Sequence, residues 1–331
     1  MTDSPASQRA ALVYNPIKVD AEALRSTVTD ASAAAGWGEP LFFETTVEEL
    51  GNGLAREALA QGATAVLVAG GDGTVRAVSE AMSWSGIPLT IVPSGTGNLL
   101  ARNLRFPLAD PDAMVEATFT GEHRPIDIGF ARITRVDGES AEHGFVVMGG
   151  MGLDAAMIAN TSGDLKKKVG WLAYIDGAAR SLVGAKPFLV HYRVPGHRFH
   201  RARVQSVLVA NCGSLPAGLE LIPEASVSDG ELDVVIFQPK SAFGWLAVWR
   251  RVAWDNSVLN KTRAGRRVLR LRTKDNSVRY ARGRGLELST DEPQHVQLDG
   301  DEFGEGTAMT CRVVAGGLLI AVPKGHPGAA T

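Results

Sequence analysis

Two glycine-rich stretches and the acid inside one of them are the residues best suited to chemistry. "GGDGT" (Gly70–Thr74) and "PSGTGN" (Pro93–Asn98) each follow a short apolar run and precede a helical pattern. Glycine at the end of a buried strand weakens it unless the backbone must turn tightly or something must approach closely. Such loops present backbone N–H groups at a helix N-terminus, where unsatisfied donors and the helix dipole attract phosphate. Thr74 and Thr96 add hydroxyl donors at the two turns, alongside Gly70, Gly71, Gly73, Gly95, Gly97 and Asn98. Asp72 would repel a phosphate; it suits a Mg²⁺ held through water, or a proton acceptor. A third unusual loop, Asn15–Pro16, closes the first apolar run. One such loop could be an ordinary capped turn, but two in succession with an acid between them point to a phosphate site.

The elements that position these loops follow from the pattern of residues 11–104. The runs "ALVY" (11–14), "LFFETT" (41–46), "AVLVAGG" (65–71) and "PLTIVPSG" (88–95) read as strands. Helical patterns lie between them at 21–36, 50–62 and 75–86, with another from about Asn98. Strands alternating with helices of this length indicate crossover units and a parallel sheet, whose ligands bind beyond the carboxyl ends of the strands. From about residue 125 short β-like runs dominate, which predicts an antiparallel sandwich or barrel. The expected architecture is an N-terminal α/β domain over 8–125 and a C-terminal β-sandwich domain over 126–323, with flexible tails at 1–7 and 324–331.

Bulk properties narrow the function classes. The 331 residues carry a net charge of −2 and are 45% hydrophobic, so a packed two-domain protein is expected and general attraction to nucleic acid is not. The two cysteines, Cys212 and Cys311, form no C-x-x-C and no disulfide framework, in keeping with a reducing cytoplasm. No secretory leader and no apolar run of membrane-spanning length is visible. The P-loop pattern G-x-x-x-x-G-K-[ST] is absent. "GMGLDA" (150–155) has dinucleotide-like spacing but lacks a crossover unit, and reads as a turn opening a helix.

"NP", "GGDGTV" and "PSGTGNLLARNL", in this order, resemble the catalytic domain of diacylglycerol kinases, shared with sphingosine and ceramide kinases. The second half is similar to soluble bacterial lipid kinases in "DIG" (127–129), "GMGLDAAMI" (150–158), "LKKKVGWLAYI" (165–175), "PEASVSDGELDVVIF" (223–237) and "VQLDGDEFG" (296–304). The resemblance implies an ATP-dependent kinase of a lipid hydroxyl, diacylglycerol foremost, using Mg²⁺. It maps a nucleotide site onto Gly71, Asp72, Gly73, Thr74, Val75, Arg76, Ala77 and Thr96, with a threonine that is either Thr45 or Thr46. It implies that Asp299 is the general base. The usual D-G-E reads D-G-D-E here, so Asp301, with Glu302 beside it, stands at the family's glutamate. A structural Mg²⁺ maps onto Asp229, with Ser226 and Glu231; the same "SVSDGELD" also suits an Asp-Gly turn opening a hairpin.

The expected partner is a lipid at a membrane surface, reached by peripheral contact at the inner face; the reading allows a homodimer. "FGWLAVWRRVAW" (243–254), and residues 261–284 with ten Lys or Arg and one Asp, are candidate membrane segments. Lys166–Lys168 could neutralise phosphate charge, though a solvated helix start explains them as well. The rival functions are a kinase of a soluble substrate such as NAD and a non-catalytic lipid- or nucleotide-binding protein.

Overall fold

The computed structural model describes residues 8–152, 187–215, 219–220, 222, 224–238 and 278–326. The expectations for 165–175 with Lys166–Lys168, for 243–254 and for 261–277 lie outside these residues, as does "GMGLDAAMI" beyond Gly152.

The first third alternates as its periodicity requires. It runs β1 (Ala10–Tyr14), α1 (Ala21–Ala34), β2 (Leu41–Glu44), α2 (Asn52–Ala60), β3 (Ala65–Gly70), α3 (Asp72–Met82), β4 (Pro88–Pro93), α4 (Leu99–Asn103) and α5 (Pro111–Thr120). The strands pair in parallel in the order β2-β1-β3-β4. Side chains of β1 alternate between two cores. Ala11 and Val13 pack with Ala55 and Ala58 of α2 and Val75, Val78 and Met82 of α3, whereas Leu12 and Tyr14 pack with Val28 of α1 and Val115 of α5. The sheet is thus covered on both faces, as a parallel sheet must be. The chain leaves β1 in one direction for β2 and returns to its other side for β3, so the crevice lies between the ends of β1 and β3. Asn15 N–H donates to Ala69 O there (2.8 Å).

The remainder is antiparallel, as the short β-like runs predict. It comprises β5 (Glu122–Thr134), β6 (Ser140–Phe145), β7 (Met148–Met151), β8 (Phe188–Arg193), β9 (His200–Val204), β10 (Ser206–Ala210), β11 (Ser214–Leu215), β12 (Leu219–Glu220), β13 (Leu232–Phe237), β14 (Val278–Gly283), β15 (Gly285–Leu298) and β16 (Asp301–Val322). Its sandwich core includes Phe145, Met151, Val209, Leu232, Val296, Leu298 and Met309. The two halves share one sheet: β16 pairs with β15 and β5 and, at Leu319–Ile320, runs parallel to Pro88–Leu89 of β4. No helix among the described residues is long and apolar enough to cross a membrane.

Candidate functional site

Helix α3 begins three residues earlier than its apolar periodicity suggests. Gly71 is its N-cap, and Asp72, Gly73 and Thr74 form its first turn. "GGDGT" is therefore a strand end, a cap and a first helical turn, with unpaired N–H groups facing outward. Gly70 has to be glycine, because a Cβ there would lie 2.8 Å from that of buried Thr74.

Asp72 joins the two glycine loops. Its Oδ1 accepts the Leu99 N–H at 2.6 Å, at the start of α4. A Cβ on Gly97 would stand 2.1 Å from its Oδ2, and one on Gly95 would stand 3.3 Å from the Cα of Gly71. The loops meet closely, Gly97 against the Asp72 carboxylate and Gly95 against the backbone of Gly71, where a side chain would force one of them to move. Burial raises the Asp72 carboxyl above its ordinary pKa; the Leu99 hydrogen bond opposes this and the nearby charge of Asp301 adds to it. Asn98 holds the second loop in shape, accepting Gly95 N–H (3.0 Å) and donating to Gly95 O (2.7 Å). Its φ of 47° lies in the left-handed region, which asparagine tolerates.

The other mapped residues line the same strand ends. Asn15 folds its side chain onto Ile17 N–H (3.0 Å), making an Asx turn with Pro16 inside it. Thr46 Oγ1 accepts the Glu49 N–H (3.1 Å). Thr45 is buried and its Oγ1 has no hydrogen-bond partner among the described residues. Thr46 is exposed and keeps its O–H free to donate, so both threonines the sequence offers have a hydroxyl at this strand end. Thr96 is exposed at the tip of its loop, and Val75 and Ala77 are buried in α3.

Asp299 arrives from the sandwich. Asp299 and Gly300 form the two-residue turn between β15 and β16, closed by the pair Leu298–Asp301, and both have positive φ (51° and 91°). Asp-Gly is the residue pair this turn favours. The Asp299 carboxylate is almost completely buried and accepts three successive N–H groups. Val146 donates to Oδ2 at 2.7 Å; Val147 and Met148 donate to Oδ1 at 2.9 and 2.8 Å. Burial pushes its pKa up to about 6 against the pull of these donors and of the Arg76 charge. A carboxylate has about four lone-pair sites, so Oδ2 keeps one for a further donor.

The same hairpin reaches the first glycine loop. Arg76 Nε donates to Asp301 Oδ2 at 3.1 Å, and its guanidinium lies 4.8 Å from the centre of the Phe303 ring. The Asp301 carboxylate fills the space a Gly73 side chain would need, 2.8 Å from its ideal Cβ. Asp72 and Asp301, a carboxylate from each half, are close enough to raise the Asp72 pKa, and such a pair is donor chemistry for a hard divalent cation. Arg76, mapped as a nucleotide residue, is also the ion pair between the halves.

The loop of Ser226, Asp229 and Glu231 is a separate feature. Asp229 Oδ1 accepts Glu231 N–H (3.0 Å), as in an Asp-Gly turn, and its Oδ2 lies 3.7 Å from Arg282 Nη1. Arg282 also pairs with Asp233 (3.0 Å), so a protein cation already compensates these acids. The resemblance assigns Ser226 and Glu231 backbone carbonyls beside the Asp229 carboxylate, a donor set that needs no cluster of three acidic or imidazole side chains; among the described residues no such cluster is present. Asp127 anchors this region: its carboxylate accepts Gly230 N–H (2.7 Å) and Gly316 N–H (2.8 Å). Asp127 lies within "DIG", and an acid inside an otherwise apolar strand pattern is the only trace of this role in the sequence.

The chain matches the diacylglycerol kinase catalytic domain over residues 9–131 and the YegS C-terminal NAD kinase beta sandwich-like domain over residues 146–322. A Pseudomonas aeruginosa protein named a probable lipid kinase, YegS-like, is 32% identical over 83% of this chain and 82% of its own. A Mycobacterium tuberculosis diacylglycerol kinase is 30% identical over 56% of this chain and 58% of its own. Among solved structures, a diacylglycerol kinase from Bacillus anthracis superposes with a TM-score of 0.70 over 97% of this chain and 99% of that one, at 20% identity. Yeast NADH kinase shares the fold more distantly, with a TM-score of 0.51 at 8% identity over 96% of this chain and 84% of that one.

Proposed function

Because the chain belongs to the YegS-like, diacylglycerol-kinase-like lipid kinases, we propose that it transfers the γ-phosphoryl group of ATP to the hydroxyl of diacylglycerol, with Asp299 as general base. The observation that carries this reading is the meeting of two glycine loops, tied together by Asp72, with the β15–β16 hairpin, whose Asp301 packs on Gly73 and pairs with Arg76 two residues from the buried Asp299 carboxylate. The triphosphate lies on the N–H groups at the starts of α3 and α4, where donors and dipoles favour anions. Asp72 and Asp301 would hold a Mg²⁺, which when bound neutralises charge on the phosphates. Thr45 or Thr46 offers a hydroxyl to the nucleotide. Asp299 Oδ2 accepts the acceptor's hydroxyl hydrogen bond, aims its oxygen at the γ-phosphorus and takes its proton as the new P–O bond forms. The bond to the ADP oxygen breaks in the same in-line step.

The test is a side-by-side assay of purified protein with ATP, Mg²⁺ and either dispersed diacylglycerol or NAD. The expected result is phosphatidic acid with stoichiometric ADP. Phosphorylation of NAD alone would overturn the acceptor, and ATP binding without transfer to any of a panel of lipid alcohols would overturn catalysis.

A further inference from the structure

The three N–H groups that hold Asp299 do not orient themselves. Val146–Met148 joins β6 to β7, and its carbonyls are gripped from the side opposite the carboxylate. Asn211, directly after β10, donates its backbone N–H to Val147 O at 2.9 Å, and Cys212 N–H follows at 3.1 Å. Asn211 Nδ2 spends both hydrogens on carbonyls, Val146 O (3.0 Å) and Asp127 O (3.0 Å). Its Oδ1 is buried and has no partner among the described residues. An apolar residue of similar size would avoid that orphan acceptor, so the two donors are what an amide supplies here.

We propose that Asn211 is a positioning residue for the base: it fixes the segment Val146–Met148 so that three consecutive N–H groups converge on the Asp299 carboxylate. This rests on the reading of Asp299 as the base. The other groups facing that carboxylate are Arg76 from α3, whose charge favours its ionised form, and the Cys212 thiol, which burial and Asp299 itself hold well above the ordinary thiol range and therefore neutral. Loosening the segment would part these N–H groups from the carboxylate and let it swing away from the position the acceptor hydroxyl needs.

The experiment compares Asn211→Ala and Asn211→Ser, each in wild-type and Asp299→Asn backgrounds. In the wild-type background kcat is expected to fall about tenfold for alanine and less for serine, which keeps one donor. The KM for ATP should stay within about twofold. In Asp299→Asn, removing the amide should cost nothing further, because residues acting as a unit are not additive. At fixed pH the antisymmetric carboxylate stretch of Asp299, identified by its loss in Asp299→Asn, should shift as its N–H donors loosen, which reads the geometry without turnover. It therefore separates failure of this proposal from failure of the kinase reading. Additive losses, an unshifted carboxylate stretch, a matching rise in the KM for ATP, or unfolding of both variants would each make Asn211 a structural residue and overturn the proposal.

Discussion

Asp299 shows how one position can serve turn, core and chemistry. Asp-Gly is the residue pair of a tight hairpin, the burial is that of a core residue, and the raised pKa of about 6 suits a base working near neutrality. We expect Asp299→Asn to lower kcat by about 10²–10⁴-fold while ATP·Mg²⁺ affinity, read by calorimetry, stays nearly unchanged. In the wild type, kcat should rise with pH through about 6 as the carboxyl ionises, and this limb should vanish from the residual activity of the variant. The stability sign is opposite. A folded pKa above the unfolded value of about 3.9 contributes stability that is present below that value and lost as pH rises through the folded pKa. Urea midpoints of wild type relative to Asp299→Ala should therefore decline from about pH 4 to above pH 6. Asp72 was legible from its setting, since an acid between phosphate-binding glycines has to have a use. Its bond to Leu99 was not, because that partner lies in the next crossover unit. Asn211 and Asp127 were illegible for the same reason: each works on backbone groups from distant segments, and backbone groups leave no trace in sequence.

The elements of the first half were read from local periodicity, and they hold because the sheet is covered on both faces by helices of matching pattern. The start of α3 was displaced because apolar spacing does not see a first turn made of Asp, Gly and Thr. That displacement turns a loop into a helix N-terminus, and it makes the contact between the two loops specific. In Gly97→Ala the new methyl would meet Asp72 Oδ2 at 2.1 Å, so the carboxylate has to leave Leu99 or the loop has to open. We expect the KM for ATP to rise about tenfold or more, measured by coupled ADP release, with kcat less affected. Asp72→Ala removes the acceptor of the Leu99 N–H, and should lower stability by about 1 kcal/mol on denaturant unfolding as well as weakening nucleotide binding.

Across the whole molecule, the proposed base and the two glycine loops belong to different halves of the chain, and the Arg76–Asp301 ion pair joins these halves among the described residues. Arg76 is buried and Asp301 half-exposed, so the pair is shielded from solvent on one side only. A double-mutant cycle with Arg76→Gln and Asp301→Asn should give a coupling of about 1 kcal/mol in unfolding free energy. If the two effects simply add, the pair does not join the halves energetically. The sequence predicted two units from the change in strand pattern at residue 125. It could not predict that the last strand returns to the first sheet, since pairing partners across 200 residues carry no local signal.

That return has a consequence for how the chain is made. The free edge of β4 is covered only when Leu319 and Ile320 arrive beside Pro88 and Leu89. Until then a nascent chain carries a finished set of glycine loops on a sheet with an open, apolar edge, the kind of edge that recruits other strands. Synthesis order thus sets a window in which the N-terminal half is vulnerable on the ribosome, and the final strand acts as the clasp that ends it.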